Sequence, residues 1–477
     1  MHGRATLPAL RGVPLVVDLD GTLTPADVSL EAFVCYARRG VLHFLRLCLW
    51  LLTGRAVAKA MVARHAALDP EFLPLRPEVV ALIQAARVEG RPVILASASH
   101  SRNIGRVSRH CGLFDRIIAT RRRDNLKGAA KLRAIRAAIG EGPFDYVGDS
   151  RADRALWKEA RRAFSVGHLP RGVERLCAAP RPAWRALLRA MRPHQWAKNA
   201  LVFVPLLTAG LVADPGAAAR AGLMAVLFSL LASGVYLLND LLDIEADRQH
   251  ATKKTRPLAS GELSIPLALL ASAALMLVPF AIGWAVLGWR PAAVLGVYLV
   301  LTTAYSFRLK AVMSLDVVTL ASLYTLRIAA GAVAIGVPLS FWLLTFSIFL
   351  FLSLAYLKRY TELAAAIRPG VLLKGRGYTS FDLDIVAMSG VSAGMVSILV
   401  LALFIHDVAG EGRYAAPELL WPVCLILLYW INRTWLMARR GEVEGDPVAF
   451  AIKDRRSLAL GGLMAGLLVA AQFVPLP

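Results

Sequence analysis

The sequence predicts two regions of different fold class: an α/β domain with a helical cap, then an all-α polytopic membrane domain of about nine transmembrane helices. Short apolar runs alternate with helical patterns over the first 180 residues, and longer apolar segments begin near residue 191. Hydrophobic residues make up 57% of the chain, and the mean hydropathy is +0.55. These values exclude an ordinary soluble protein.

Three predicted strands in the N-terminal region end in polar clusters. The strands are residues 14–19 (PLVVDL), 91–96 (RPVILA) and 144–147. The clusters that follow them contain Asp18 and Asp20, Ser97, and Asp149 and Asp153. Strands that alternate with helices form a parallel sheet, whose ligands bind at the carboxyl ends of the strands. A carboxylate nucleophile at such an edge needs a metal and a lysine to react with a phosphate.

The stretch DLDGTLT, placed after an apolar strand, resembles the first motif of the haloacid dehalogenase (HAD) phosphatase superfamily. The resemblance implies that Asp18 is the nucleophile and forms an aspartyl-phosphate. Asp20 would be the general acid and base, and Ser97 would hold the phosphoryl group.

The later motifs of the HAD family would supply a lysine and a metal site. Lys131 best matches the motif lysine, and Lys127 is the alternative. By the same resemblance Asp149 and Asp153 would bind Mg²⁺ together with Asp18. All the acidic residues of the pattern are present, which favours an active phosphatase over a degenerate domain.

The residues between the first two motifs look helical and would form a cap over the site. Their apolar run, residues 41–52 (VLHFLRLCLWLL), is too short to span a bilayer. It would lie either in the membrane interface, against a lipid-like substrate, or inside the cap as an ordinary buried helix. We expect the domain to cover residues 1–180, with a basic linker over 181–190 and the membrane domain over 191–477.

Residues 236–261 (YLLNDLLDIEADRQHATKKTRPLASG) follow a long apolar run. Asp240, Asp243 and Asp247 are spaced so that one helix would carry them on one face. Oxygen ligands of this kind suit Mg²⁺, which also bridges to phosphates. A basic strip follows: Lys253, Lys254 and Arg256. The segment predicts a Mg²⁺–diphosphate site at a membrane surface; a solvated helix end is the alternative.

Apolar segments that would span the membrane occur near residues 199–213, 219–241, 264–288, 291–307, 316–336, 340–357, 385–406, 416–437 and 457–475. Lys and Arg are concentrated in the connections after the second, fourth, sixth and eighth of these. The positive-inside rule therefore places the aspartates and the N-terminal domain on the cytoplasmic side of a bacterial inner membrane. The net charge of +22 fits anionic lipid and phosphorylated substrates, and the absence of a basic stripe with aromatic residues disfavours nucleic acid.

The stretch NDLLDIEADR resembles the NDxxDxxxD motif of the UbiA-type intramembrane prenyltransferase superfamily. With residues 192–199 (RPHQWAKN) and 305–316 (YSFRLKAVMSLD), it looks most like the decaprenyl-phosphate phosphoribosyltransferase branch. This branch would transfer 5-phosphoribosyl from phosphoribosyl diphosphate to a polyprenyl phosphate, in making a cell-wall arabinan precursor. Leu320 stands where the second DxxxD motif of aromatic prenyltransferases would place an aspartate after Asp316, which weakens an aromatic acceptor.

The same resemblance gives roles to individual residues of the membrane domain. Asp240, Asp243 and Asp247 would hold Mg²⁺ on the leaving diphosphate. The expected substrate-binding residues are Arg192, Lys198, Asn239, Lys253, Lys254, Arg256, Tyr305, Lys310 and Arg327. For Arg192 and Lys198, which would hold the acceptor phosphate, snorkelling at the interface is the alternative. Arg327 lies within a predicted span, where a charge is expected to face a cavity or pair with an acid.

The presence of both regions in one chain suggests that their sites act in sequence. The membrane domain would make polyprenyl-phosphoryl 5-phosphoribose, and the HAD domain would remove its 5-phosphate. Two alternatives stay open: transfer of an isoprenoid to an aromatic or other small acceptor beside a separate phosphatase, and a non-enzymatic HAD module that senses phosphorylated lipid. The five scattered cysteines argue against a disulfide framework. A homo-oligomer is compatible with the sequence, which does not fix the oligomeric state.

Overall fold

The computed structural model describes residues 12–66, 69–120, 126–178, 182–365, 377–410, 414–443 and 445–474. It separates into two compact units. The first comprises Met1–Ala190 together with Leu237–Ala271, and the second comprises Met191–Tyr236 together with Ser272–Pro477. The aspartate-rich segment therefore belongs to the same unit as the N-terminal domain, which the predicted boundary at residue 191 did not anticipate.

The first unit is built on a parallel sheet. Its strands are β1 (Leu15–Asp18), β2 (Val93–His100), β3 (Arg116–Thr120), β4 (Asp145–Gly148), β5 (Arg162–Ser165) and β6 (Glu174–Arg175). They are arranged in the order β3-β2-β1-β4-β5-β6, and all neighbouring pairs are parallel. Alternate residues of β1 enter different apolar clusters, Leu15 and Val17 in one and Val16 in the other. Both faces of β1 are thus covered, and its continuous apolar run reflects this.

Helices connect the strands and form the cap. They are α1 (Val28–Ala37), α2 (Val41–Thr53), α3 (Arg55–His65), α4 (Pro77–Val88), α5 (Ser101–Cys111), α6 (Ala129–Ile139), α7 (Arg154–Glu159) and α8 (Ala183–Met191). Asp27 caps α1 by accepting a hydrogen bond from the Leu30 amide at 2.9 Å. Helices α1 to α3 come between β1 and α4 and pack around Tyr36, Leu47 and Val62. The predicted α/β fold and its helical cap are confirmed.

The exposure of α2 decides between the two positions that the sequence left open for this apolar run. Leu47 is the only buried residue of α2, and most of the other residues of this helix are exposed. An ordinary buried helix is therefore wrong for residues 41–53.

The second unit is helical. Its helices are α9 (Val204–Thr208), α10 (Pro215–Leu242), α12 (Ile265–Ile282), α13 (Trp289–Phe307), α14 (Leu315–Ile335), α15 (Phe341–Ala364), α16 (Leu383–Gly410), α17 (Trp421–Arg439), α18 (Pro447–Lys453) and α19 (Arg455–Phe473), while α11 (Ile244–Gln249) and the ends of α10 and α12 belong to the first unit. Among the described residues, seven helices are long and apolar enough to cross a membrane: α10, α12, α14, α15, α16, α17 and α19.

Two of the predicted spans are not among these seven helices. The segment 199–213 is wrong as a span, because it forms a 3₁₀-helix, Pro193–Phe203, followed by the short helix α9. Pro193 begins the first of these elements and Pro205 is the second residue of the other, and both prolines lack the amide donor that one continuous helix would need. The segment 291–307 lies in α13, which carries Arg290 in its first turn and has lower hydropathy than the seven.

Candidate active sites

Asp18 and Lys131 form the centre of the site at the carboxyl edge of the sheet. Asp18 ends β1, and its Oδ1 accepts a hydrogen bond from the Leu19 amide at 2.8 Å. The Nζ of Lys131, on α6, lies 2.9 Å from the same oxygen. Burial raises the pKa of Asp18 to about 7, although Lys131 acts in the opposite direction. Burial alone would lower the pKa of Lys131, but Asp18 and Asp153 raise it.

Three carboxylates at this edge are arranged as a cation site. Asp18, Asp149 and Asp153 each place one oxygen so that the three oxygens lie within 4.8 Å of one another. Burial and the neighbouring Asp153 raise the pKa of Asp149 to about 6. The Tyr146 hydroxyl donates to Asp153 at 2.8 Å and fixes its orientation. Clustered carboxylates repel unless a cation or proton neutralises them, so this oxygen donor set fits Mg²⁺.

Asp20 is held by three donors from two elements. Its Oδ2 accepts hydrogen bonds from the hydroxyls of Ser97 at 2.8 Å and Ser99 at 2.7 Å. Its Oδ1 accepts one from the Val28 amide at 2.8 Å, in the first turn of α1. Ser97, expected to hold a phosphoryl group, thus bonds to Asp20 in this structure. No role was predicted for Ser99.

The helix of the aspartate-rich segment is interrupted at Asp243. Helix α10 ends at Leu242 and α11 begins at Ile244, with Asp243 between them at φ −102° and ψ 12°. Hydrogen bonds of helical spacing continue across this interruption, from the Asp243 amide to Asn239 and from the Asp247 amide to Asp243. Asp243 is half-buried, whereas Asp240 and Asp247 are buried.

Arg256 lies between Asp240 and Asp247. Its Nη1 is 3.0 Å from the Asp240 carboxylate and 2.7 Å from that of Asp247. Within the described ranges, Asp18, Asp149 and Asp153 form the cluster close enough to share a metal, and Asp240, Asp243 and Asp247 do not. Arg256 therefore occupies the space between Asp240 and Asp247 in this structure; a Mg²⁺ site on the three aspartates of this segment stays a prediction. Asn239 directly precedes Asp240 on α10 and is half-buried.

The basic strip after the aspartates is divided by its exposure. Lys253 and Lys254 lie in a single 3₁₀ turn, Lys253–Thr255, and both are exposed. Arg256 follows this turn and points back to the aspartates. In this strip, Lys253 and Lys254 therefore face solvent, whereas Arg256 pairs with the carboxylates.

Helix α1 contacts this segment within the first unit. Arg248 of α11 donates to both carboxylate oxygens of Glu31, at 2.8 and 2.5 Å, and both side chains are 7% exposed. The Nε of Arg248 donates to the Ala259 carbonyl at 2.8 Å, on the returning part of the segment. Arg248 thus ties both parts of the segment to α1, whose first turn holds Asp20.

In the second unit, Lys198 and Lys358 share one acid. The Nζ of Lys198 lies 2.6 Å from Asp446, and that of Lys358 lies 3.7 Å from it. Burial would raise the pKa of Asp446, but the two lysines lower it. Lys198, expected to bind an acceptor phosphate, is thus paired in this structure. Arg192 precedes it in a left-handed backbone conformation, φ 55°, with its guanidinium 5.0 Å from the Tyr236 ring.

Arg327 is held by an amide and by aromatic rings. Its Nε donates to Asn199 at 2.8 Å, and its guanidinium lies 5.2 to 5.5 Å from the rings of Tyr298, Tyr324 and Phe228. The expected acid partner is therefore not found among the described residues. Ring faces and an amide oxygen stabilise the charge of this arginine instead.

A second buried ion pair joins α14 and α15. The Nε of Arg359 lies 2.7 Å from Asp316 Oδ2, and both side chains are fully buried. Tyr378 donates to the other oxygen of Asp316 at 2.8 Å, and Arg359 approaches the Tyr305 hydroxyl at 3.5 Å. Lys310 is half-buried in the turn Leu309–Ala311. Lys374 and Arg376 lie outside the described residues.

Residues 201–460, more than half of the chain, match the UbiA prenyltransferase family. The chain belongs to the UbiA family. Residues 15–158 match the haloacid dehalogenase-like hydrolase family, which identifies the N-terminal domain. The protein is thus a membrane-embedded transferase of the UbiA family that also carries an HAD hydrolase domain.

Relatives differ in how much of this UbiA protein they match. A protein of Sinorhizobium fredii called y4nM is 36% identical over 97% of this chain and 91% of its own length. The nodulation protein NoeC of Azorhizobium caulinodans is 38% identical over 58% of this chain and 91% of its own. A protein of Mycolicibacterium smegmatis named decaprenyl-phosphate phosphoribosyltransferase is 33% identical over 60% of this chain and 92% of its own.

Sequence reasoning missed several residues that hold these sites together. Ser99, Tyr146, Glu31 and Arg248 position parts of the first unit, and Asp446 pairs Lys198 in the UbiA domain. The position of Asp446 at a helix start could have been predicted, since an aspartate directly before a proline is typical of a helix N-cap. Asp446 does cap α18, accepting a bond from the Val448 amide at 3.0 Å.

Substitution of Asp316 tests whether its pair supports the UbiA fold. We expect Asp316→Ala to lower the free energy of unfolding by about 3–5 kcal/mol, because it removes the buried acid beside Arg359 and leaves only the partly exposed Glu362 to balance its charge. Thermal unfolding of the purified protein in detergent measures the change. Asp384→Ala is the matched control, since Asp384 is exposed. Equal melting temperatures for the two variants would contradict a stabilising role for the buried pair.

Proposed function

We propose that the UbiA domain transfers 5-phosphoribosyl from phosphoribosyl diphosphate to a polyprenyl phosphate. The HAD domain then removes the 5-phosphate, which leaves polyprenyl-phosphoryl ribose. The supporting observation is that one chain contains both a UbiA domain and an HAD domain. A UbiA domain similar to proteins named decaprenyl-phosphate phosphoribosyltransferase accompanies an HAD site in which Asp18, Lys131 and the acidic cluster lie together.

In the transfer step, an oxygen of the polyprenyl phosphate attacks C1 of the ribose. The bond between C1 and the diphosphate oxygen breaks, and diphosphate leaves with the bonding electrons. The acceptor phosphate is already ionised, so no strong base is required. Arg256 and the exposed Lys253 and Lys254 would stabilise the negative charge on the leaving group. Asp240 and Asp247 would hold Arg256 in position for this role.

In the hydrolysis step, a carboxylate oxygen of Asp18 attacks phosphorus, and the bond between phosphorus and the ribose O5 breaks. Asp20 gives a proton to the departing O5, and then takes one from the water that attacks the aspartyl-phosphate. Ser97, Ser99 and the Val28 amide orient Asp20 for both transfers. Lys131 stabilises the phosphoryl charge. Mg²⁺, when held by Asp18, Asp149 and Asp153, would supply further positive charge to the phosphate.

The loop charges support a location of both sites on the cytoplasmic face of a bacterial inner membrane, under the positive-inside rule. The structure adds support, because the aspartate-rich segment and the HAD domain belong to one compact unit. Both sites would then work on the same membrane surface, where the product of one is available to the other. The partners are phosphoribosyl diphosphate, polyprenyl phosphate and membrane lipid.

Prenyl transfer to an aromatic or other small acceptor is the second candidate, and the family to which the chain belongs favours it by its description. A donor screen separates the two. The purified protein is incubated with polyprenyl phosphate and phosphoribosyl diphosphate, or with prenyl diphosphates and aromatic acceptors, and diphosphate release is followed. Release from phosphoribosyl diphosphate alone supports the proposal. Release from prenyl diphosphates alone would establish the second candidate.

Glu31 provides a test of the link between α1 and the transferase segment. We expect Glu31→Gln to lower the transfer rate at least tenfold, because loss of a buried partner costs about 3–5 kcal/mol and releases Arg248. Trypsin should also cut faster at the exposed Lys253 and Lys254. Arg38→Gln is the control, since the Arg38–Glu245 pair is more exposed and should contribute only about 0–1 kcal/mol. Unchanged transfer and cleavage in Glu31→Gln would show that the pair does not position the segment.

A further inference from the structure

Helix α2 of the HAD cap has an apolar surface that the first unit leaves uncovered. Seven of its large apolar side chains are exposed: Val41, Leu42, Phe44, Leu45, Leu49, Leu51 and Leu52. Leu52 is 84% exposed and Leu49 is 61% exposed, whereas Leu47 faces the cap core. An exposed apolar surface of this extent on a short helix marks an interaction site rather than ordinary scattered residues.

The charges around α2 specify the kind of partner. No acidic residue occurs between Glu31 and Asp69, so the whole segment that contains α2 and α3 has only positive and neutral side chains. The basic residues of this segment are Arg38, Arg39, Arg46, Arg55, Lys59 and Arg64. An apolar helix flanked by cations and free of acids matches a bilayer with anionic lipids, in which apolar side chains enter the acyl boundary and cations meet headgroups.

The start of α2 is located by its connection to a membrane span. The Nη1 of Arg38 donates to the carbonyl of Leu242 at 3.1 Å. Leu242 is the last residue of α10, one of the helices long and apolar enough to cross a membrane. The end of a span lies at a membrane surface, and α2 begins three residues after Arg38. This contact places the first turn of α2 near that surface.

We propose that α2 lies in the interface of an anionic bilayer, with its exposed apolar side chains in the lipid. The helix is joined to the HAD site through α3, where Lys59 donates to the Ala98 carbonyl at 3.1 Å, between Ser97 and Ser99. A cap fixed in the membrane in this way presents the site to phosphomonoesters carried on lipids. This consequence rests on the proposed function of the HAD domain, whereas the position of α2 does not.

Spin labels measure the position of α2 in the full-length protein. Labels are attached to single cysteines at Leu45, Leu49 and Val88, in a background without the native cysteines, and the protein is placed in nanodiscs containing phosphatidylglycerol. Val88 is 90% exposed on α4 and serves as the aqueous control. We expect high accessibility to oxygen and low accessibility to a water-soluble nickel reagent at Leu45 and Leu49, with the reverse at Val88. Water-like values at all three positions would overturn the proposal.

A matched pair of variants tests the consequence for catalysis. Leu49→Glu should raise the KM for a phosphorylated polyprenyl lipid roughly tenfold, because burial of one leucine side chain is worth about that factor. Its kcat/KM for a soluble phosphomonoester should stay unchanged, as should both constants in Val88→Glu.

If α2 instead contacts a second copy of the chain, Leu49 labels show spin–spin coupling without lipid accessibility, which overturns the proposal. If the labels lie in lipid but no lipid phosphomonoester is hydrolysed, the position of α2 stands and the proposed HAD function fails.

Discussion

Asp18→Asn is expected to separate the two reactions. The variant should convert phosphoribosyl diphosphate and polyprenyl phosphate into the phosphoribosyl lipid at the native rate, and should release no phosphate from it. Asn keeps the size of Asp18 but cannot attack phosphorus, and it removes one ligand from the carboxylate cluster. We expect phosphatase activity to fall by at least about a thousandfold, since covalent and electrostatic contributions are lost together. Thin-layer chromatography of the lipid products and a free-phosphate assay measure the two outcomes.

Two controls accompany this variant. Chelation of divalent cations should abolish phosphate release from a soluble phosphomonoester in the native protein, because Asp18, Asp149 and Asp153 would then repel one another at the reacting centre. Arg162→Gln alters an exposed pair elsewhere in the HAD domain and should leave both activities unchanged. Continued phosphate release by Asp18→Asn would show that the HAD site is not the phosphatase.

Asp240→Asn is expected to have the opposite effect. Transfer should fall by at least about a hundredfold, because the loss of one carboxylate weakens the hold on Arg256, whose charge the leaving diphosphate needs. Phosphatase activity on a soluble phosphomonoester, which depends on Asp18, should be retained. Initial rates of diphosphate and phosphate release measure the two activities in the same preparation.

The substitution Asp243→Asn serves as a comparison for Asp240→Asn. Among the described residues the acids paired with Arg256 are Asp240 and Asp247, and Asp243 is half-buried at the interruption between α10 and α11. Asp243→Asn should therefore leave trypsin cleavage at Lys253 and Lys254 unchanged, and any loss of transfer in this variant reports on substrate rather than on the fold of the segment. A fall of both activities together in Asp240→Asn, in a folded protein, would contradict the assignment of two separate sites.

The juxtaposition of the candidate HAD residues follows from local sequence. Asp18 ends β1, Ser97 lies in β2 and Asp149 follows β4, and because these strands pair side by side the parallel sheet brings the three residues to one edge. The choice of Lys131 over Lys127 depended on family resemblance, and the structure places Lys131 beside Asp18. The role of Tyr146 could not be predicted, because a tyrosine inside a buried strand is most simply interpreted as a core residue. Its hydrogen bond to Asp153 is visible only in the structure.

The membrane domain was harder to predict because its important pairs are distant in sequence. Lys198 meets Asp446, and Arg359 meets Asp316, only after the helices pack. The position of Arg256 between Asp240 and Asp247 likewise depends on how the segment returns after the turn Lys253–Thr255. The interruption of the helix at Asp243 could not be predicted either, because no proline or glycine marks it in the sequence.

Arg327 shows a limit of a general rule. A charge inside a span predicts an acid partner or a cavity, yet three aromatic rings and Asn199 surround this guanidinium. Tyr324 lies one turn before Arg327 on α14, but Phe228 and Tyr298 come from α10 and α13, so the local sequence around residue 327 contains only one of the three rings. Sequence identifies such a charge as costly, and only the packed helices reveal which groups compensate for it.

A doubly labelled donor tests the proposed reaction sequence most directly. Phosphoribosyl diphosphate carrying one isotope in the ribose and another in the 5-phosphate is incubated with the purified protein and polyprenyl phosphate, and the lipid and aqueous phases are counted. We predict that the ribose label enters the lipid phase while the 5-phosphate label appears as free phosphate, and that Asp18→Asn keeps both labels in the lipid. Retention of both labels in water, with diphosphate released only from prenyl diphosphates, would contradict the account.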